Sequence, residues 1–143
     1  MTSGNSSESG ARLPVPGAVR AVGYGAAAFG IATVGAGGLV LFGPEAAREA
    51  AGHAVPFVVW TNFLAGFAYV AAGAGIAHGR RWAVGVAAVV AGATALAGLA
   101  FAAHALSGGA FEPRTVGALL LRAGLWAGIA LWARARIGGR RGV

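Results

Sequence analysis

Four stretches of the chain, roughly residues 21–43, 55–77, 82–106 and 115–133, are nearly unbroken runs of apolar residues separated by short polar segments. Each is about 19 to 25 residues long, and at about 1.5 Å per residue such a helix crosses the ~30 Å hydrocarbon core of a bilayer. The pattern predicts an all-α membrane protein: four transmembrane helices in an antiparallel bundle. A Ser/Gly/Pro-rich segment without apolar periodicity, residues 1–17, precedes the spans and reads as a disordered tail. Residues 18–134 form the transmembrane domain, and residues 135–143 a short basic tail.

Composition agrees with the pattern. Of 143 residues 57% are hydrophobic and only 10% charged, with a mean hydropathy of +0.72, which is too apolar for an ordinary soluble domain. The net charge of +7 would suggest nucleic acid in a soluble protein, but here the arginines sit at the ends of apolar runs and form no single basic face, so no nucleic-acid partner is expected. Cysteine is absent, which excludes disulfides and thiolate metal sites. Lysine and aspartate are absent too, while Ala, Gly, Val and Arg abound, a bias expected of a GC-rich bacterial genome.

The arginines also give an orientation. Arg12, Arg20, Arg80, Arg81, Arg134, Arg136, Arg140 and Arg141 fall on one side of a four-span topology, against Arg48 and Arg114 on the other. By the positive-inside rule both termini are cytoplasmic and the protein is a multi-pass component of the bacterial inner (plasma) membrane. Trp82 and Trp132 next to the cytoplasmic arginines, and Trp60 near the opposite surface, suit interfacial aromatic rings. A signal peptide is the other reading of the first run, which follows Arg12 and Arg20, but its apolar core is about twice the usual length.

Glycines recur seven residues apart: Gly23, Gly30 and Gly37; Gly66 and Gly73; Gly85 and Gly92; Gly117 and Gly124. In lipid, small residues that let backbones approach replace the hydrophobic drive, and a seven-residue period implies left-handed packing. Gly124 and Gly128 form a GxxxG pair suited to a neighbouring helix or a second copy of the chain.

Arg122 interrupts the fourth run about eight residues from its external end, on the order of 12 Å deep, where an unpaired guanidinium costs at least about 2.5 kcal/mol. Either its stem snorkels toward the outside, or it faces the interior and pairs there. All four acids, Glu8, Glu45, Glu49 and Glu112, lie outside the apolar runs, which leaves Asn62, at similar depth on the second helix, as the best internal partner. Asn62, Tyr69, His104, Glu112, Thr115 and Arg122 form a candidate polar cluster in the outer half. Gly117, Gly124 and Gly128 lie nearly opposite Arg122 on the helix, so a glycine face packed inward would turn Arg122 toward a second subunit or lipid headgroups.

In "PEAAREAAGH", Glu45, Glu49 and His53 at four-residue spacing are weak metal-ligand candidates, with His104 and Glu112 nearby; an amphipathic loop helix opened by Pro44 is the simpler account. "SGGAFEPRT" reads as a tight Gly-Gly turn before a helix start at Pro113. His78 stands alone at the cytoplasmic end of the second run, and no facing histidine pair suggests haem. No nucleophile with a base, phosphate loop or intramembrane carboxylate occurs, so neither an enzyme nor a cofactor is expected.

The segments "VPFVVWTNFLAGFAYVAAGAGI" and "HALSGGAFEPRTVGALLLR" resemble a family of small, uncharacterised four-helix bacterial integral membrane proteins. The resemblance implies a four-span fold and brings no activity with it. The function expected is that of an accessory or assembly subunit, self-associating or bound to another membrane protein, with a polar site in the outer half; the alternative is a transport or binding protein for a small anion, a lipid headgroup or a metal ion. Four short helices leave little room for a conduction pathway unless several copies assemble.

Overall fold

The computed structural model describes residues 14–138, and these are helical with no strand among them. Helix α1 spans Gly17–Phe42, α2 Glu45–Ala51, α3 Pro56–Ala77, α4 Arg81–Leu106 and α5 Pro113–Ala133, continued by a π-helical turn over Arg134–Gly138. Four helical stretches, α1, α3, α4 and Pro113–Gly138, are long and apolar enough to cross a membrane. The expected tail falls outside the described residues as far as residue 13, as do residues 139–143. Two boundaries differ from the sequence reading. Helix α1 begins at Gly17, so Arg20 lies within its first turns, and the helical path runs past Ala133 because Ile137 is buried and anchors the wider turn.

The ends of the helices follow from local chemistry. Pro56 and Pro113 open α3 and α5 at the first helical position, where a missing N–H costs nothing and the ring fixes φ near the helical value. After α3, Gly79 adopts φ 65°, donating to Ile76 O at 2.8 Å while Arg80 donates to Gly75 O at 2.8 Å. After α4 the same pattern recurs: Gly108 at φ 84° donates to Ala105 O and Gly109 to His104 O. Both are Schellman caps, in which a left-handed glycine lets two N–H groups reach back to otherwise orphaned carbonyls. The Gly-Gly turn expected before Pro113 is thus the cap of α4. Within the spans, Thr33, Thr61 and Thr94 donate to the carbonyls of Phe29, Phe57 and Val90 four residues back, so none of these three hydroxyls is left unpaired.

Helix α1 packs on α3, α3 on α4, and α4 on α5. The α1–α3 seam is the tightest and is made of the seven-spaced glycines. A methyl group added at Gly30 would lie 2.7 Å from Val70 N and 2.9 Å from Gly66 O, and one at Gly73 would lie 2.6 Å from Gly23 O. Elsewhere the same spacing has another outcome. A Cβ at Gly85, Gly92, Gly117, Gly124 or Gly128 would meet nothing within 4 Å. Between the more widely spaced α3 and α5, bulk replaces backbone contact: Trp126 and Tyr69 are both 0% exposed, with ring centroids 4.6 Å apart, and Phe29 of α1 stacks on Tyr69 at 5.8 Å. The outer surface carries the large aliphatic side chains, among them Ile31, Leu64, Val89, Leu96, Leu120 and Leu131. Small residues inside and leucines outside is the arrangement a lipid solvent permits, because lipid tails are as apolar as leucine itself.

Candidate functional site

A groove of about 620 Å³ runs down from α2 between α1, α3 and α5, and Arg122 lies at its deep end. Ala36, Leu39 and Val40 form the α1 wall, Val58, Val59 and Asn62 the α3 wall, and Thr115, Ala118 and Arg122 the α5 wall. Ala47, Ala50 and Ala51 of α2 roof it, and Glu112 and Arg114 stand at the rim.

The α5 face that packs toward the other helices follows from its bulky residues. Leu119, Trp126, Ala130 and Ala133 are buried, and Arg122, one turn before Trp126, shares that side, while Gly117, Gly124 and Gly128 are exposed. The alternative in which a buried glycine face turns Arg122 outward is therefore not the one found. The guanidinium runs back toward the start of its helix, as helical side chains do, with Nη1 3.5 Å from Ala118 O, a weak contact. Its Cζ lies 5.9 Å from the centroid of the Phe29 ring. Such a cation–π contact is worth about 0.5 to 2 kcal/mol and does not replace a counter-charge. Nε is buried without a hydrogen-bond partner, as are Tyr69 OH and Trp126 Nε1 in the aromatic cluster beside it. Snorkelling and inward facing are thus combined in one side chain.

Among the described residues no hydrogen bond joins Arg122 to Asn62, although both line the groove. Nor does Glu112 serve it. Oε1 of Glu112 accepts the His53 backbone N–H at 3.0 Å, and Oε2 lies 3.9 Å from Arg114 Nε. Arg114 in turn donates from Nη2 to Ala50 O at 2.8 Å and to Ala51 O at 3.0 Å, satisfying two carbonyls at the end of α2, where a cation is favoured. The exposed Arg114–Glu112 ion pair contributes about 1 kcal/mol at most, so the short carbonyl bonds carry more of the attachment of α2. Gly52 makes this possible: at φ 62° it turns the chain, and a Cβ there would collide with the Glu112 carboxylate. The roof of the groove is thereby pinned to the first turn of α5.

The remaining candidates lie apart. Thr115 lines the groove, whereas Tyr69 sits in the aromatic cluster behind Arg122. His104 is at the end of α4, its Nε2 3.2 Å from Ala110 O and its ring edge-on to Phe57. Glu45 pairs with Arg48 at 2.7 Å, and α2 ends at Ala51, so the turn at Gly52 takes His53 off the face that four-residue spacing would have given it. Among the described residues no group of three or more His, Asp or Glu gathers as a metal site would require. Sequence reasoning missed Arg114, Phe29 and Trp126. Trp126 carried a legible signal, four residues from Arg122 and so on the same helix face; Phe29 carried none.

No known protein family, curated protein or solved structure matches the chain. The resemblance to small four-helix membrane proteins rests on the two quoted segments, and the functional reading rests on the groove.

Proposed function

We propose that this multi-pass protein is a non-enzymatic membrane binding protein that receives, in the outer half of its bundle, the anionic or strongly hydrogen-bond-accepting group of an amphiphilic molecule. The observation that carries the reading is Arg122: a half-buried guanidinium in a groove of about 620 Å³, with both carboxylate oxygens of Glu112 at the rim engaged elsewhere. A charge in so apolar a setting is retained where it meets a partner, and ionisable residues within spans commonly mark binding sites. The alanine and valine walls accept an apolar stem, Asn62 offers a carboxamide beside it, and Arg122 offers its donors. The test is native mass spectrometry of protein extracted in mild detergent. A retained molecule bearing an acidic group is expected on the wild type and not on Arg122→Leu; equal retention by both removes the reading.

The second reading, an accessory or assembly subunit, is favoured by a cleft of about 370 Å³ in which Gly124 and Gly128 face Val22 of α1 and Trp132. A helix of another copy or of a membrane partner fits such a small-residue surface. A dimer in mild detergent that is lost on Gly124→Leu/Gly128→Leu supports it. We place both termini in the cytoplasm of a bacterium and α2 outside. Cysteines replacing Ser6 and Glu49 are then expected to label from opposite sides of the membrane, and labelling from the same side excludes this topology.

A further inference from the structure

At the opposite end of the bundle from α2, Arg81 at the start of α4 and Arg134 at the end of α5 line one cavity of about 370 Å³, whose other walls are Val84, Gly85, Ala88, Ala130, Leu131 and Gly138. We infer that this cavity is a binding site for an anionic phospholipid, its phosphate held between the two guanidinium groups and an acyl chain lying along the apolar groove between α4 and α5.

Charge is the first support. Arg20, Arg80, Arg81, Arg134 and Arg136 gather at this end, while the acids among the described residues, Glu45, Glu49 and Glu112, all lie at the other, and every ion pair described is there too. Like charges collected at one surface with no carboxylate of the described residues between them favour an external anion, and basic pockets between transmembrane helices are suited to phosphate headgroups. Depth is the second. Trp82 is exposed beside Arg81, and Arg136 lies 5.6 Å over the Trp132 ring, which puts two tryptophans at the level of the arginines, as at a headgroup interface. Shape is the third. Gly85 leaves the groove open, since a Cβ there would meet nothing within 4 Å, and the buried Ile137 keeps the π-helical turn folded against the bundle, so that Arg134 and Gly138 border the same cavity instead of trailing into a loose tail. None of these observations involves the Arg122 groove, and the proposal stands apart from it.

The experiment measures lipid binding to the full chain by native mass spectrometry, with phosphatidylglycerol, phosphatidylcholine and inorganic phosphate as separate probes. Phosphatidylglycerol is expected to be retained and phosphatidylcholine is not. Arg81→Gln/Arg134→Gln is expected to weaken phosphatidylglycerol binding roughly 30-fold, from the loss of two cation contacts near the surface. Arg20→Gln/Arg80→Gln removes the same charge from residues that do not line the cavity and is expected to leave binding within about threefold of wild type. Gly85→Leu separates a lipid from free phosphate: it fills the groove but keeps both arginines, so it is expected to weaken the lipid while leaving phosphate unaffected. Equal losses in the two double variants mean that only net charge is sensed and overturn the proposal. So do tighter retention of inorganic phosphate than of lipid, and a Gly85→Leu variant that binds phosphatidylglycerol like the wild type.

Discussion

Gly73→Leu is expected to disrupt the bundle, whereas Gly117→Leu leaves it as stable as the wild type. Both glycines belong to seven-residue repeats and both sit within long apolar helices, so their sequence surroundings do not separate them. Their neighbours do. A Cβ at Gly73 would lie 2.6 Å from Gly23 O and 2.9 Å from Ala27 Cα, both backbone atoms of a facing helix that no rotamer change can move. Accommodating leucine requires α1 and α3 to separate along the seam that their glycines form. Overpacking a core costs about 1 to 3 kcal/mol where side chains can adjust, and here the upper end or beyond is expected because the obstacle is main chain. At Gly117 an added Cβ would meet nothing within 4 Å, so a leucine there is expected to join the aliphatic surface, and such outward substitutions stay within about 0.5 kcal/mol. Thermal unfolding in detergent, followed by circular dichroism, compares the two. Equal midpoints for Gly73→Leu and wild type would falsify the close-packed α1–α3 seam.

The second large effect concerns Arg122, and its sign depends on whether the groove is occupied. In ligand-free protein the guanidinium has its ring contact with Phe29 and a weak contact with Ala118 O, but no counter-charge among the described residues. Arg122→Leu then removes a desolvation penalty of at least about 2.5 kcal/mol at the loss of a cation–π contact worth about 0.5 to 2 kcal/mol, so the substitution is expected to be neutral or stabilising. With the ligand bound the order reverses, because the wild type gains binding energy that the variant lacks. Arg122→Lys is expected to restore little of the ligand-dependent gain, since an ammonium group does not reproduce the planar fork of donors. Asn62→Ala combined with Arg122→Leu is expected to be additive in the ligand-free state, there being no hydrogen bond between them, and non-additive when ligand bridges the two. Midpoints measured with and without the molecule recovered from the membrane decide the matter. A marked loss of stability in ligand-free Arg122→Leu means that the arginine has an internal partner and is not held for an external anion.

The spans were legible because a lipid solvent imposes a simple demand: backbone groups must be satisfied within the segment, so a long apolar run without breakers has one conformation to adopt. The end points drifted where charge misled the eye. Arg20 pushes the apparent start of α1 toward its apolar stretch, and the arginines after Ala133 resemble a tail although buried Ile137 continues the helix. Glycine spacing foretold the kind of contact without its partners, since Gly30 and Gly92 look alike in one dimension and only the first faces another backbone. The groove was half legible. Arg122 and Asn62 stand out because polar residues within an apolar run are costly, whereas the attachment of α2 by Arg114 joins residues more than sixty positions apart through main-chain carbonyls, which have no signature in the sequence.

The glycine seam also bears on how the chain is made. Every main-chain contact in it lies between α1 and α3, so the seam needs no residue of α4 or α5. Helices from the ribosome enter the membrane in order, and the first two carry a matched pair of surfaces that need nothing from the later ones. The paired helices provide a wall, with Tyr69 and Phe29 on one side, against which Trp126 packs. Assembly is thus expected to run from a backbone lock to a side-chain wedge, and a chain truncated after Gly79 is expected to keep α1 and α3 paired.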